Sequence, residues 1–388
     1  MTLYCHEEQS QQPLSKMTEV HNFGTEAVTC HAWNKNCTEL ALSSNSTEVK
    51  VYKKTGGGWQ EYETMTEHGQ KVTSIDWAPN SNRIVTCGSD RNAYVWNYNN
   101  GKWTPILVIL RFNRSATVVK WSPNENKFAV GSGARLISVC YFEEENNWWV
   151  SKHIKKPIRS TITCLDWHPN NAMLACGSTD FKARIFSGFV KDVESKPSGS
   201  PWWDGKMSFG TLIAEYSNGG GGWVHDVSFS PKGDKLAWIG HDSSISVVNA
   251  NNGQKVAVIK EKFLPFISCT WVSEENIVAA GFDCCPLMFN YASNGNLRYV
   301  CNLDVPKEQS LGTQSAMQRF RDLDRMASGP DDSSKSMKTL HQNAITQVVV
   351  HTGTKESCSK FSTSGIDGNL IIWDVKSLEK SLADMKIS

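Results

Sequence analysis

The feature that most limits what this chain can fold into is a period. An apolar residue, a variable residue and an aromatic recur as Ile75-Asp76-Trp77, Val119-Lys120-Trp121, Leu165-Asp166-Trp167, Val227-Ser228-Phe229 and Cys269-Thr270-Trp271, with His31-Ala32-Trp33 as a weaker first copy. The aromatics of successive copies are spaced by 44, 44, 46, 62 and 42 residues. Four of them are followed by one residue and a proline (Pro79, Pro123, Pro169, Pro231), which presets a turn and ends strand pairing. An apolar run into glycine and usually aspartate comes next, as in Ile84 to Asp90, Leu174 to Asp180 and Phe361 to Asp367, and reads as a second strand with a hairpin turn. A third strand closes on an aromatic at Trp96, Phe186, Phe289 and Trp373, and stretches such as Lys255 to Ile259 and Leu297 to Val300 supply a fourth. Each repeat is therefore a four-stranded antiparallel sheet.

Four-stranded units of about 44 residues match the blade of a β-propeller of the tryptophan-aspartate (WD40) type. Seven copies fit the 388 residues, so the fold class is all-β, a seven-bladed WD40 β-propeller. Only the last repeat ends its third strand on the literal dipeptide, Trp373-Asp374, so the period carries the assignment. The seventh repeat lacks a fourth strand after Trp373, and Glu19 to Phe23 is the available donor. This leaves residues 1–19 as a flexible N-terminal tail and 20–388 as the propeller.

Composition narrows the function. With 40 basic against 39 acidic residues, the chain has no global field to collect nucleic acid or an acidic membrane. The longest apolar run, Pro105 to Leu110, is far short of the ~20 residues of a membrane helix, and the first twenty residues lack the apolar stretch of a secretory signal, so a cytoplasmic protein is expected. Twelve cysteines lie scattered without a CxxC pair, which reads as reduced core thiols rather than a zinc site or a disulfide framework.

Two repeats carry the inventory of a hydrolase triad: His68, Thr86 and Asp90, and again His341, Thr363 and Asp367. Recurrence at the same register argues for architecture. In such propellers these residues form hydrogen-bonded tetrads with the third-strand tryptophan, here Trp96 and Trp373, and satisfy buried polar groups. The glycine clusters Gly56 to Gly58 and Gly219 to Gly222 lack the Lys-Ser/Thr of a phosphate loop. No catalytic, cofactor-binding or metal site is expected, and no enzyme.

Function then falls to surfaces, and foremost to segments that a minimal propeller does not need. Residues 188–210, rich in Pro, Ser and Gly, fall between the third and fourth strands of the fourth repeat. Residues 304–340 fall between the sixth and seventh repeats. Loops of these two kinds leave opposite faces of a propeller, so two different partners are possible. In the second insertion Thr313 can cap an amphipathic helix ended by Gly329-Pro330, with Met317, Phe320 and Leu323 on one face and Arg319 largely on another. Such an arm either docks in a partner's groove or packs on its own propeller. A basic run, Lys152, His153, Lys155, Lys156 and Arg159, is able to meet an acidic partner, and a helix over 375–386 is expected to pack at the end of the chain.

Several stretches resemble the propeller subunit of the actin-related protein 2/3 complex: Cys30 to Asn34, Ile75 to Pro79 with Arg83 to Gly88, Trp121 to Gly133, Trp148 to Arg159, Leu165 to Asn171 and Ile372 to Glu379. The resemblance includes the arm at Arg319-Phe320-Arg321-Asp322-Leu323-Asp324 and the turn Lys155-Lys156-Pro157-Ile158-Arg159. The sequence departs from it in the Met1 to Lys16 tail, the Gly219 to Gly222 loop, Val248 at a third-strand aromatic position, and Ser328 to Thr339. The resemblance implies a non-catalytic scaffold subunit of that complex, supporting actin filament nucleation and branching in the actin cytoskeleton. Its implied partners are the other subunits, the actin filament and nucleation-promoting activators, with partner contacts at Met317, Arg319, Phe320 and Leu323 of the arm and at Lys155, Lys156 and Arg159. An alternative from the fold alone is a WD40 peptide-binding adaptor of another multiprotein assembly.

Overall fold

A computed structural model describes residues 18–195, 197, 199–203, 205, 207–217, 219–304 and 339–375. The described strands form seven four-stranded antiparallel sheets. Blade 1 comprises β2 (Cys30–Trp33), β3 (Glu39–Ser43), β4 (Val49–Thr55) and β5 (Gly58–Met65). Blade 2 comprises β6 (Val72–Ala78), β7 (Arg83–Gly88), β8 (Ala93–Asn99) and β9 (Lys102–Val108). Blade 3 comprises β10 (Ala116–Trp121), β11 (Lys127–Ser132), β12 (Ile137–Glu143) and β13 (Trp148–Ile154), and blade 4 β14 (Ile162–Trp167), β15 (Met173–Ser178), β16 (Ala183–Ser187) and β17 (Leu212–Tyr216). Blade 5 comprises β18 (Val224–Phe229), β19 (Lys235–Gly240), β20 (Ser244–Asn249) and β21 (Val256–Lys260), and blade 6 β22 (Phe266–Trp271), β23 (Asn276–Gly281), β24 (Leu287–Tyr291) and β25 (Leu297–Asn302).

Blade 7 is built from both ends of the chain. Its β26 (Ile345–Thr352), β27 (Lys360–Gly365) and β28 (Asn369–Asp374) are completed by β1 (Thr18–Asn22), which pairs with β28 from Thr18↔Trp373 to Asn22↔Asn369. The donated strand thus contains Glu19 to Asn22 of the expected Glu19 to Phe23, begins no later than Thr18, and stops before Phe23. The stop has a local cause: Asn22 Oδ1 accepts the Gly24 amide, Gly24 has φ +69°, and Phe23 turns away to pack on Tyr52 and Trp59 of blade 1.

The apolar core is seven wedges, one between each pair of neighbouring blades. Val85, Val95, Val119 and Trp121 fill the space between blades 2 and 3, while Val28, Leu40, Leu370 and Ile372 fill that between blades 7 and 1. Strands near the axis are therefore covered on both faces. All six residues of β11 are buried, whereas β5 on the rim is largely exposed. Because strand direction alternates, the first-to-second and third-to-fourth strand turns share one face of the ring. The second-to-third turns and the blade-to-blade loops share the other.

Residues 188–210 lie on the first of these faces, and there the structure corrects the sequence reading. This segment is part of the fold. Val190, Trp202 and Met207 are buried, Trp202 Nε1 donates to the Gly233 carbonyl, and Glu194 pairs with the fully buried Lys127 ammonium. An insertion able to bury a tryptophan is held by the propeller, whatever its glycine and serine content suggests. The arm helix within 304–340 and the helix expected over 375–386 lie outside the described residues, except for the arm's two roots. There Asp304 accepts the Leu340 amide at 2.6 Å.

Candidate functional site

Three places gather polar chemistry: the axial channel, the repeated tetrads and the face from which the arm emerges. The channel encloses about 700 Å³ and is lined by the innermost strands. Its polar side chains act mainly as braces between blades. Asp76 accepts the Trp121 amide at 2.7 Å, Asp166 the Phe229 amide at 2.7 Å, Asp226 the Cys269 amide at 2.9 Å, Ser268 the Val348 amide at 3.1 Å, and Gln347 the His31 amide at 2.8 Å. Each is one blade reaching to the inner strand of the next. Loss of solvent pushes the Asp226 carboxyl up to about 6, against the opposing pull of the Cys269 and Ser268 hydrogen bonds. Lys120 faces Asp76 across 3.8 Å; desolvation would lower its ammonium, but Asp76, Asp166 and Asp226 outweigh it and hold it up.

A second set of braces uses β-bulges. The inner strands of blades 2, 3, 4 and 7 shift register at Thr73, Thr117, Thr163 and Thr346. The bulge re-aims each hydroxyl sideways, where it donates to the carbonyl of Ala116, Ile162, Val224 and Val28 respectively in the next blade. Each threonine stands four residues before the end of the apolar-variable-aromatic signature or its counterpart, a regularity visible in the sequence but not used in reading it. At the equivalent places blades 5 and 6 carry His225 and Ile267.

One mouth of the channel is crossed by the turn after β26. Lys355 reaches from blade 7 to Asp166 of blade 4 at 2.7 Å and to the Ser228 hydroxyl of blade 5 at 3.1 Å. Gly353 makes this turn possible: its φ is +98°, and a Cβ there would sit 2.2 Å from the Ser357 carbonyl oxygen.

In the tetrads, His68 Nδ1 lies 3.0 Å from Asp90 and Nε2 lies 2.8 Å from Thr86 Oγ1, which accepts Trp96 Nε1–H at 3.0 Å. In the last blade His341 lies 3.1 Å from Asp367 and 2.8 Å from Thr363, which accepts Trp373 Nε1–H at 2.9 Å. One proton arrangement satisfies each chain: Nδ1–H donates to the carboxylate, and the hydroxyl donates to Nε2 while accepting from indole. Both hydroxyls are fully buried, so neither is presented to a substrate. Burial works to raise the Asp367 carboxyl, yet the His341 hydrogen bond and charge hold it below the usual range.

The basic run divides between two environments. Lys152 and His153 lie within β13, where Lys152 pairs with Asp192 at 2.7 Å and His153 Nε2 donates to the Leu110 carbonyl at 2.8 Å. Lys155, Lys156 and Arg159 stand exposed on the turn beyond, which is anchored underneath by buried Ile154 and Ile158. Exposed Arg114 and Arg135 join them on the same face, from a blade-to-blade loop and a hairpin turn that the sequence reading passed over. This face also exposes Phe181, Trp223, Leu264, Phe282, Leu340 and Ile366 from its loops and turns. Among the described residues, the opposite face exposes large apolar side chains at the strand ends beside its turns, Tyr98, Trp148 and Leu212, rather than from the turns themselves. The arm residues Met317, Arg319, Phe320 and Leu323 lie outside the described residues, but their roots at Asp304 and Leu340 are on this same face. Among the described residues no three His, Cys, Asp or Glu side chains are grouped to hold a metal ion.

Comparison with known proteins agrees with this architecture. A family model described as WD domain, G-beta repeat matches residues 59–97 and 151–187, each match running from the outer strand of one blade into the third strand of the next. Over 369 residues the chain is 55% identical to the actin-related protein 2/3 complex subunit 1A-A of Xenopus laevis, covering 95% of this chain and 99% of that one. It is 42% identical to subunit 1 of Schizosaccharomyces pombe over 364 residues, covering 88% and 95%. It is 38% identical to subunit 1B of Arabidopsis thaliana over 383 residues, covering 95% and 99%. A chain that keeps the propeller at this identity, from end to end of these relatives, belongs to the actin-related protein 2/3 complex subunit 1 family.

Proposed function

We propose that this protein is a non-catalytic scaffold of the actin-related protein 2/3 complex, and that the face bearing the arm meets activators or actin-like surfaces during filament nucleation and branching. The observation that carries the proposal is the asymmetry of the ring. Exposed apolar loop residues, the basic turn at Lys155, Lys156 and Arg159, and both roots of the arm gather on one face. Rigidity supports a scaffold role, since side-chain braces link successive inner strands and the triad-like hydroxyls are enclosed. The proposed place of action is the cytoplasmic actin cytoskeleton.

Reconstitution tests this. The wild-type chain should co-purify with two actin-related proteins and restore branching. Phe320→Ala should shift the stability of the isolated chain by less than ~0.5 kcal/mol, the range of surface sites. In the complex the same change should cost ~2 kcal/mol in activator or filament binding, as loss of an aromatic anchor does. Replacing Lys155, Lys156 and Arg159 together by Ala should weaken that binding most at low salt. Failure of the wild type to join the complex would refute the scaffold reading, and normal branching by all variants would refute the role of this face.

A further inference from the structure

Blade 5 departs from the bracing that its neighbours share. The inner strands of four blades carry a bulged threonine whose hydroxyl donates to a carbonyl of the next blade, and the register of β18 shifts at the same place, at His225. Instead of reaching for blade 6, the His225 ring turns to its own blade, where Nε2 lies 3.0 Å from Nδ1 of His241 on the hairpin between β19 and β20. His225 forms part of the channel wall, and His241 stands exposed above it, at the mouth opposite the Lys355 turn. Trp223 flanks both rings, with centroids 5.9 Å from His241 and 6.5 Å from His225.

Backbone contacts set the pair. The His241 amide donates to the Trp223 carbonyl at 2.8 Å, which ties the loop before β18 to the hairpin. Gly222 lets these two segments touch, because a Cβ there would sit 2.5 Å from the Asp242 amide nitrogen. Both rings are therefore held close to their positions before any ligand arrives.

Other histidines are used differently. His31, His68, His168 and His341 are buried, and both nitrogens of each ring are engaged by hydroxyl, carboxylate or backbone partners. Among the described residues, the rings of His225 and His241 have no hydrogen-bonding partner except each other. When the ring protons sit on His225 Nδ1 and His241 Nε2, two lone pairs converge on one point. Nitrogen ligands of a tetrahedral zinc ion stand about 3.3 Å apart, so the rings need to part only slightly to form a chelate. Burial, with His241 beside it, pushes the His225 ring down to about 4, which keeps it neutral and able to bind a metal at neutral pH.

We propose that His225 and His241 form a two-histidine site for a zinc-like divalent ion at the arm-side mouth of the channel, with the remaining coordination positions open to water. Imidazole selects ions of this type over magnesium or calcium. A structural zinc site fills all four positions with protein ligands, whereas two ligands leave the ion exchangeable and able to take a further donor from outside the chain. The site goes beyond the scaffold reading and does not depend on it.

The test uses the full chain freed of metal, with zinc ion as the probe and isothermal titration calorimetry as the readout. Zinc should bind, magnesium should not compete, and His225→Gln and His241→Gln should each weaken zinc binding at least tenfold. No zinc binding by the wild type, or binding that both variants retain undiminished, overturns the inference. A second measurement needs no variant: zinc should shield His241 of the wild type from acylation by diethyl pyrocarbonate, located by mass spectrometry, and magnesium should not. If either variant melts early, this shielding decides, and a His241 that reacts equally with and without zinc overturns the inference. Neither failure would touch the scaffold reading, which is tested by assembly.

Discussion

Glu194 offers the sharpest test of whether residues 188–210 belong to the fold. Its carboxylate pairs with Lys127, whose side chain has no exposure and whose ammonium lies 5.2 Å above the Trp167 ring. It also accepts the Val190 amide at 2.8 Å and the Asn171 side-chain amide at 2.6 Å. Glu194→Ala would leave a buried ammonium without its anion, a loss of about 3–5 kcal/mol. With an unfolding entropy of about 2 cal/mol/K per residue, this corresponds to a fall of about 4–6 °C in Tm for a chain of this length. Burial pushes the Lys127 ammonium down, against the Glu194 bond and charge. A cation depressed in the folded state adds stability as pH rises through its folded value, and without Glu194 the depression deepens. The deficit should therefore narrow as pH climbs above neutrality. Lys127→Met in the same chain should recover most of the loss, because a paired charge can be replaced by an apolar side chain far more cheaply than it can be orphaned. Differential scanning calorimetry of the wild type, the single and the double variant would decide. A single variant melting within about 1 °C of wild type would refute the account, since that shift is below what any orphaned buried charge costs.

Two further outcomes follow from the ring. Deleting residues 1–23 removes β1, its five ladder positions on β28 and the Glu19–Lys360 pair, and at about 1 kcal/mol per backbone bond it should lower the melting temperature by several degrees; an unchanged melt would show that β28 needs no partner. Asp226 is a carboxyl raised in the folded state to about 6, so its contribution is greatest below its unfolded value of about 4 and declines as pH rises through 6. Asp226→Asn keeps an oxygen for the Cys269 amide, so it should gain on wild type between about pH 4 and 6, and stability curves that stay parallel through that window would contradict the raised carboxyl.

How far the sequence could be read depended on whether its signal was repeated. Trp77, Trp121, Trp167 and Trp271 recur at one register, so a period defined the blades even where Val248 replaces an aromatic. The tetrad residues were legible for the same reason. The threonines at the bulges were equally periodic, but their meaning depends on a register shift that points a hydroxyl at a different blade, and no single strand contains that geometry. Residues 188–210 misled because Pro, Ser and Gly report local backbone freedom, whereas Trp202, Met207 and Glu194 are held by partners in other blades. The end of the donated strand was placed one residue too far because the turn at Asn22 and Gly24, rather than the apolar Phe23, sets where pairing stops.

The closure of blade 7 also has a consequence in time. Asn22 and Asn369 meet although 347 residues separate them, so β1 leaves the ribosome long before the strand it pairs with exists. Six blades can form their own four-stranded sheets during synthesis, while the first strand made waits for the last. Bringing such distant ends together costs about 5 kcal/mol of chain entropy if the intervening chain is disordered. Once the six blades have curved into an arc, most of that search has already been completed. The final event of folding is then the capture of a short N-terminal strand by a finished edge, and a nascent chain stalled before β28 would present an open ring to the chaperones that meet it.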